Sequence, residues 1–459
     1  MTLNERLKKV AVLGAGGKMG SGISLLLAQE MALQKLQTEN RNQPYQLTLI
    51  DVNPNSLEGL QQYLKAQAQR FVKKNLDRLK ELLPETASTD AIESQFVNTL
   101  LSILNPTTDL KAAKDSLMVF EAILEKIDLK VSVFETLKNS CGEETYFFSN
   151  TSSIPLHELD SRVGLDGRVI GFHFYNPPAV QKLVELIIPE NIKPDLPQLS
   201  RELGKRLRKI IIPSNDIAGF IGNGHFIRDG LHGIAEAQRL AGEMSFPQAI
   251  YVINRISQNF LLRPMGIFQL IDYVGLDIFQ SILKIMNPYF DKENLHSDLI
   301  DDLVSKGVKG GQFSDGSQKD GFLKYKNNKP TGVYIWESGD YSVFSESDWK
   351  TETEEIIGVL PEGHGHWKTL VKDPDRYNIL KRYFDNLIQK DTLGAQLAVN
   401  YLQRSKEIGE LLLSSGVANT VENINGVLMN GFYHLYGPIN DFIPSLVEAQ
   451  LQRKTKNEP

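Results

Sequence analysis

His173 and Glu185 carry the chemistry that can be read most directly from the chain. A neutral imidazole accepts the proton of a hydroxyl group, and a carboxylate on its other ring nitrogen fixes the tautomer and stabilises the imidazolium that forms. His173 lies in the apolar run Val169 to Tyr175 and Glu185 in the run Leu183 to Ile187, with Asn176-Pro177-Pro178 between them. Two strands joined by that turn would bring the imidazole and the carboxylate together. A His beside a Glu also occurs as a satisfied polar contact inside a core, so the pair needs support from the elements around it.

That support begins near the N-terminus. Val10-Ala11-Val12-Leu13 runs into Gly14-Ala15-Gly16-Gly17-Lys18-Met19-Gly20, followed by a helical apolar pattern through Ile23, Leu26 and Leu27. A strand, a glycine turn and a helix in this order make a dinucleotide-binding turn: glycines let the backbone approach a pyrophosphate, and the helix start holds its charge. Gly14, Gly16, Gly17, Lys18, Met19 and Gly20 are the expected cofactor-binding residues. The next strand, Leu47-Thr48-Leu49-Ile50, ends at Asp51. A carboxylate there accepts hydrogen bonds from a ribose and repels a 2'-phosphate, which favours NAD over NADP. The loop is one residue longer than G-x-G-x-x-G, and a polar stretch from Gln34 to Gln46 delays the second strand.

The elements that position these residues follow a simple plan. Strands and helices alternate to about residue 214, as in a doubly wound α/β (Rossmann-type) NAD-binding domain with mostly parallel strands, assigned to residues 1–215. From Phe220 the pattern turns helical, with Phe226 to Leu240, Pro247 to Phe260 and Gly266 to Tyr273 as segments of a first all-α C-terminal domain, 216–290. Residues 291–390, rich in Gly and Asp from Lys306 to Tyr325, read as an insertion or linker with irregular segments. Residues 391–459 return to helical patterning as a second, degenerate helical repeat. Ile253-Asn254 and Ile424-Asn425 are 171 residues apart, as are Gly266 and Gly437.

Composition narrows the class. The chain has 459 residues, of which 41% are apolar, enough for about three domains with buried cores. Fifty basic and 56 acidic residues leave no nucleic-acid footprint and no membrane-seeking excess. One cysteine, Cys141, cannot form an internal disulfide, and Met1 to Lys9 is polar, without the pattern of a signal peptide. No apolar stretch reaches the length of a membrane span. A cytoplasmic protein is the expectation. His364 and His366 lie in a glycine-rich segment without further ligands, so a surface loop and no metal are expected there.

Six motifs together resemble the L-3-hydroxyacyl-CoA dehydrogenase family, in particular the dehydrogenase part of fatty-acid oxidation multienzyme proteins. They are the glycine loop, Phe120-Glu121-Ala122-Ile123-Leu124-Glu125, Ser149-Asn150-Thr151-Ser152-Ser153, the His173 segment through Glu185, Ala218-Gly219-Phe220-Ile221-Gly222-Asn223, and Arg263-Pro264-Met265-Gly266 followed by Asp272-Tyr273-Val274-Gly275-Leu276. By that resemblance Ser152, His173, Glu185 and Asn223 occupy the family's active-site positions. Glu125, Lys130 and Asn176 match positions near the nicotinamide half of the cofactor. Lys74, on a helical hairpin that also carries Lys73 and Arg78, is the best match to a residue meeting the nucleotide of CoA. Gly224 and Gln181 depart from the family, which usually has arginine and methionine there.

Single residues keep structural alternatives. Asn150 and Ser152 suit a turn, Asp216 could cap the helix that starts near Asn223, and lysines on an exposed helix face can simply meet water. The combined reading is NAD-dependent oxidation of (S)-3-hydroxyacyl-CoA to 3-ketoacyl-CoA in fatty-acid β-oxidation. The alternatives are a dehydrogenase of free hydroxy acids and a non-catalytic assembly subunit. No hydratase domain is recognisable, so a separate enoyl-CoA hydratase and thiolase are expected as pathway partners. Single-repeat relatives resemble dimers that pair through the helical domain; a second repeat in the same chain would cover that surface, so a monomer is expected.

Overall fold

The computed structural model describes residues 1–443 apart from 87 and 314. They form two compact units, Met1–Phe220 and a second beginning at Ile221. In the first, strands β1 (Lys9–Leu13), β2 (Gln46–Ile50), β3 (Leu104–Thr107), β4 (Met118–Glu121), β5 (Tyr146–Ser149), β6 (Val169–Phe174), β7 (Leu183–Ile188) and β8 (Ile210–Asn215) form one sheet. Its order is β3-β2-β1-β4-β5-β6-β7-β8. Neighbours are parallel except β6 and β7, which run antiparallel.

Both faces are buried, as a mainly parallel sheet requires. Side chains alternate along β1: Val10 and Val12 enter one core, Ala11 and Leu13 the other. The first core is covered by helices α1 (Lys18–Leu36), α2 (Pro54–Lys74) and α3 (Thr89–Ser102). Helices α4 (Ile127–Ser140) and α5 (Leu156–Val163) cover the second, and α6 (Leu196–Arg206) returns to the first. In α2 the buried stripe Leu57, Leu60, Leu64, Ala68 and Val72 leaves Lys73 and Lys74 exposed. The chain crosses from one side of β1 to the other between β3 and β4. The crevice at the carboxyl end of β1 is therefore the topological switch point, where ligands bind in such sheets.

The second unit has its own core. Helices α7 (Gly222–Leu240), α8 (Phe246–Arg255), α9 (Ile267–Val274), α10 (Leu393–Ser414) and α11 (Val421–Gly431) contribute to this unit. Residues 291–390, read from sequence as irregular, contain a three-stranded antiparallel sheet of β9 (Leu323–Lys326), β10 (Lys329–Ile335) and β11 (Asp340–Val343). They also contain the helices Trp349–Ile357 and Arg376–Ile388. Phe322, Val333, Ile357, Leu380 and Phe384 from this segment lie in the same core as α7 and α8. The hairpin between β9 and β10 turns on Asn327 and Asn328, both left-handed (φ 51° and 60°), as a two-residue turn that matches strand twist demands.

One local construction occurs twice in this unit. A β-carbon on Gly266 would overlap the Asn254 amide, and one on Gly437 would overlap the Asn425 amide. Asn254 Oδ1 accepts from Gln269 N at 3.0 Å, and Asn425 Oδ1 from Ile439 N at 3.1 Å. Leu262 and Tyr433 are both left-handed, with φ of 53° and 56°. Residues 444–459 of the expected second repeat lie outside the described residues. Among the described residues no helix is long and apolar enough to cross a membrane, and no group of three or more His, Cys, Asp or Glu could hold a metal ion.

Phe322, Leu323 and Tyr325 close on Asp272. That fully buried carboxylate accepts from Phe322 N (2.7 Å), Leu323 N (2.9 Å) and the Tyr325 hydroxyl (2.9 Å). Asp272→Ala would orphan two buried amides, at about 1–3 kcal/mol each, and the half-buried Tyr325 hydroxyl. The expected result is a drop in the melting temperature of the second unit on the order of 10 °C, at about 2–4 °C per kcal/mol. Differential scanning calorimetry of the variant beside the parent checks it; coincident transitions would contradict the role.

Candidate active site

The glycine turn is built by close approach. Gly14 is left-handed (φ 69°), and a β-carbon there would strike the Ala122 carbonyl; one on Gly20 would overlap the Gly14 carbonyl. Gly16 donates its N–H to Asp51 Oδ2 at 3.0 Å, so the acid at the end of β2 and the loop at the end of β1 are one structure. Asp51 Oδ1 accepts from Asn53 N at 3.0 Å. Helix α1 opens at Lys18 with no side-chain cap on Gly17, which leaves the positive end of its dipole to an anion. These residues fit a dinucleotide: the third glycine, four residues after the second, still packs helix against strand as the shorter motif does.

The antiparallel pairing of β6 and β7 sets His173 directly opposite Glu185. Phe172 and Phe174 on one side of β6, and Val184 and Leu186 on one side of β7, enter the first core, which turns His173 and Glu185 together to the other face. His173 Nδ1 stands 3.5 Å from Glu185 Oε2, beyond hydrogen-bond length, and makes no hydrogen bond. Glu185 is fully buried, and the same Oε2 accepts from the Tyr175 hydroxyl at 3.1 Å. Burial, followed by the Glu185 charge, pushes the Tyr175 phenol well above its ordinary range, so it stays a donor. Its ring lies against the imidazole, 4.8 Å between centroids. Asn150 Oδ1 accepts from Phe174 N at 2.8 Å, tying the end of β6 to the loop after β5.

That loop is held from below. Glu125 Oε1 accepts from the Thr151 hydroxyl (2.6 Å), Ser152 N (2.8 Å) and Ser153 N (3.2 Å). Lys130, on the first turn of α4 and fully buried, lies 2.6 Å from Glu121 Oε1 and 3.1 Å from Glu125 Oε2. Glu121 accepts in turn from Ser149 Oγ at 2.6 Å. Burial alone would lower the Lys130 ammonium, but the two carboxylates hold it above its ordinary value. Burial would raise Glu125, and Lys130, Thr151 and Ser152 outweigh it, keeping the carboxyl below its usual range.

Asn176 begins the turn between β6 and β7 with a cis bond to Pro177. Its Oδ1 is enclosed without a hydrogen-bond partner. Pro178 packs on α1 at Gly22, where a β-carbon would press on its ring. Lys74 lines a cavity of about 310 Å³ together with Arg78, Lys182, Arg206, Arg208 and Lys209. Asn223 is the second residue of α7, in the other unit. Asp216 caps a different helix from the one expected: it accepts from Leu156 N and His157 N, both at 2.6 Å, at the start of α5. Tyr175 and Lys209 were not singled out from sequence, and Glu121, which with Glu125 reads as an acid where a strand passes into a loop and helix, was not placed among the site residues. Tyr175 stands inside a motif already noted, and a hydroxyl two residues from the histidine was the available signal.

A doubly wound sheet with a glycine turn at its switch point and a histidine–carboxylate pair farther along defines a dinucleotide-dependent dehydrogenase. The family model for the 3-hydroxyacyl-CoA dehydrogenase NAD binding domain matches residues 9–217, and that for the 3-hydroxyacyl-CoA dehydrogenase C-terminal domain matches 231–325. Together they take in more than half of the chain, which belongs to the 3-hydroxyacyl-CoA dehydrogenase family, with NAD as cofactor. It is 29% identical to a peroxisomal fatty acid beta-oxidation multifunctional protein of rice, over 71% of this chain and 39% of that protein. It is also 29% identical to a probable 3-hydroxybutyryl-CoA dehydrogenase of Bacillus subtilis, over 70% of this chain and 98% of that one. The crystal structure of 3-hydroxybutyryl-CoA dehydrogenase from Escherichia coli shares the fold, with a TM-score of 0.61 at 20% identity over 97% of this chain and 91% of that one.

Removing the cation from this triad tests its structural weight. Lys130→Met leaves the buried Glu121 and the partly exposed Glu125 without a counter-charge, and an uncompensated buried carboxylate typically costs about 3–5 kcal/mol. Urea unfolding of the variant is expected to reach its midpoint well below the parent's; midpoints that coincide would show that the triad is replaceable.

Proposed function

We propose that the chain catalyses reversible oxidation of (S)-3-hydroxyacyl-CoA to 3-ketoacyl-CoA with NAD. The observation that carries the residue assignments is His173 paired across two strands with the buried Glu185. NAD, when bound, supplies the hydride acceptor, and Gly14, Gly16, Gly17, Lys18, Met19, Gly20 and Asp51 would hold it. His173 takes the proton of the C3 hydroxyl. Glu185 keeps the imidazole oriented and favours its charged form, for which the 3.5 Å gap must close. Ser152 donates to the reacting oxygen, so charge developing on the C3 oxygen meets a donor; Asn223, in the second unit, is assigned to the substrate near the thioester by the family resemblance. Glu125 and Lys130 contribute by fixing the Ser152 loop, and Asn176 offers an unpaired amide oxygen towards the nicotinamide half of the cofactor.

The cationic cavity around Lys74 favours a CoA thioester over a free hydroxy acid, because clustered Lys and Arg suit nucleotide phosphates. The twice-built Asn–Gly contact, at a constant spacing of 171 residues, supports a duplicated helical domain and hence a monomeric unit. A cytoplasmic location, with a hydratase and a thiolase as separate partners, completes the reading.

Three measurements test it. His173→Ala, assayed with acetoacetyl-CoA and NADH, is expected to lose about 10²–10⁴ in turnover, and a loss under tenfold would remove the proton-transfer role. Lys74→Met is expected to raise KM for acetoacetyl-CoA about tenfold, a lost charged hydrogen bond of about 1.5 kcal/mol, without changing KM for acetoacetyl-pantetheine. An equal change for both thioesters would move the nucleotide elsewhere. Light scattering at micromolar concentration is expected to give the mass of one chain, and a dilution-stable dimer would contradict the monomer.

A further inference from the structure

The turn from Asn176 to Lys182 joins the strand of His173 to the strand of Glu185, and its main-chain carbonyls are gathered by one side chain. Lys209 Nζ donates to Pro178 O at 2.5 Å and to Gln181 O at 2.6 Å. Within the turn, Val180 N and Gln181 N both donate to Pro177 O, at 3.0 and 2.9 Å. The ammonium therefore closes a loop already folded on itself.

Lys209 is itself rigidly mounted. Helix α6 ends with Arg208 in the left-handed conformation (φ 57°); Arg208 N donates to Lys205 O at 3.0 Å and Lys209 N to Gly204 O at 2.8 Å. These two bonds make a Schellman cap with Lys209 as its last residue. The following residue, Ile210, enters β8 by donating to Lys182 O at 2.8 Å. The lysine thus links the end of a packed helix to the turn beside the His–Glu pair.

We infer that Lys209 is a positioning residue for the reaction: it clamps the turn and through it sets the relative placement of His173, Asn176 and Glu185. A free lysine facing solvent would not enclose its charge between carbonyls with no carboxylate in contact. The charged groups around it are Glu30 from α1, Lys74 and Arg78 from the helical hairpin, Lys182 from the turn, and Arg206 and Arg208 from the end of α6. All but Glu30 are cations. Burial pushes the Lys209 ammonium down to about 8. The clamp is fully charged below that pH and loses its charge as pH rises through it, so its two hydrogen bonds weaken from charge-assisted to neutral.

The kinetic part of the test rests on the proposed dehydrogenase activity; amide exchange does not. Lys209→Met is expected to lower kcat at least tenfold with both acetoacetyl-CoA and acetoacetyl-pantetheine, leaving KM within threefold. Lys209→Arg, still cationic, is expected to recover most of that kcat and to lose the parent's decline in activity near pH 8. A raised KM confined to the CoA thioester would make Lys209 a phosphate contact and overturn the clamp, as would a decline near pH 8 that persists unchanged in Lys209→Arg. In hydrogen exchange, Val180 and Gln181 amides should open at least tenfold faster in Lys209→Met, while Leu47 and Leu49 in β2 keep their parent rates. Unchanged exchange in the turn of Lys209→Met overturns the inference whatever the activity; if that variant does not fold, the parent decides it, since its Val180 and Gln181 amides should gain exchange above pH 8 relative to Leu47 and Leu49 and those of Lys209→Arg should not, and equal behaviour of the two proteins overturns it.

Discussion

The candidate site depends on one reversal of strand direction. In a sheet that is otherwise parallel, β7 runs against β6, and the pairing sets His173 opposite Glu185. Side chains in a strand alternate with a period of two, so a slip of one residue would carry Glu185 into the apolar core and bring Val184 or Leu186 beside the imidazole. The register is fixed by burial. Phe172, Phe174, Val184 and Leu186 all enter one core, and no pairing shifted by one residue would bury all four. Hydrophobic packing thereby determines an electrostatic contact, because the fully buried carboxylate meets the groups that the sheet brings to it, His173 and the Tyr175 hydroxyl among them.

A second layer of polar contacts fixes what lies beside that pair. Lys130 and Glu121, both buried, and the partly exposed Glu125 form a triad whose hydrogen bonds run out to Ser149, Thr151, Ser152 and Ser153. A lone buried lysine or a lone buried carboxylate would be unstable; each is tolerable because the other is present. The triad is thus an all-or-none support for the Ser152 loop, and Asn150 extends it to the end of β6.

The first unit was largely legible because its signals are local. The glycine turn, the acid at the end of the second strand and the two apolar runs around Asn176 each lie within a few residues, and period and turn chemistry suffice to read them. The orientation of a side chain was less legible. Glu125 and Lys130 were expected beside the nicotinamide, yet the structure also gives them a support role, since whether a carboxylate faces a cofactor or the chain is decided by neighbours far away in sequence. Asp216 illustrates the same point: it caps a helix 60 residues earlier rather than the one that follows. Residues 291–390 concealed their order because short strands with Gly- and Asp-rich turns have little periodicity; the Asn327-Asn328 turn, a local signal, was not read from sequence.

That segment packs against the start of α10. Asn223 is the second residue of α7, and the residue 171 places later, Gly394, is the second residue of α10. A β-carbon on Gly394 would press on the Ile357 side chain and carbonyl and on the Phe260 ring, within 2.7 Å. Ile357 ends the helix Trp349–Ile357, and Phe260 lies just before α9. An asparagine at 394 could not be accommodated. Where α7 has a polar side chain at its second residue, α10 has only backbone, pressed against Ile357 and Phe260. The start of α10 therefore serves packing within its unit, and a residue without a side chain at 394 is the physical condition for that packing.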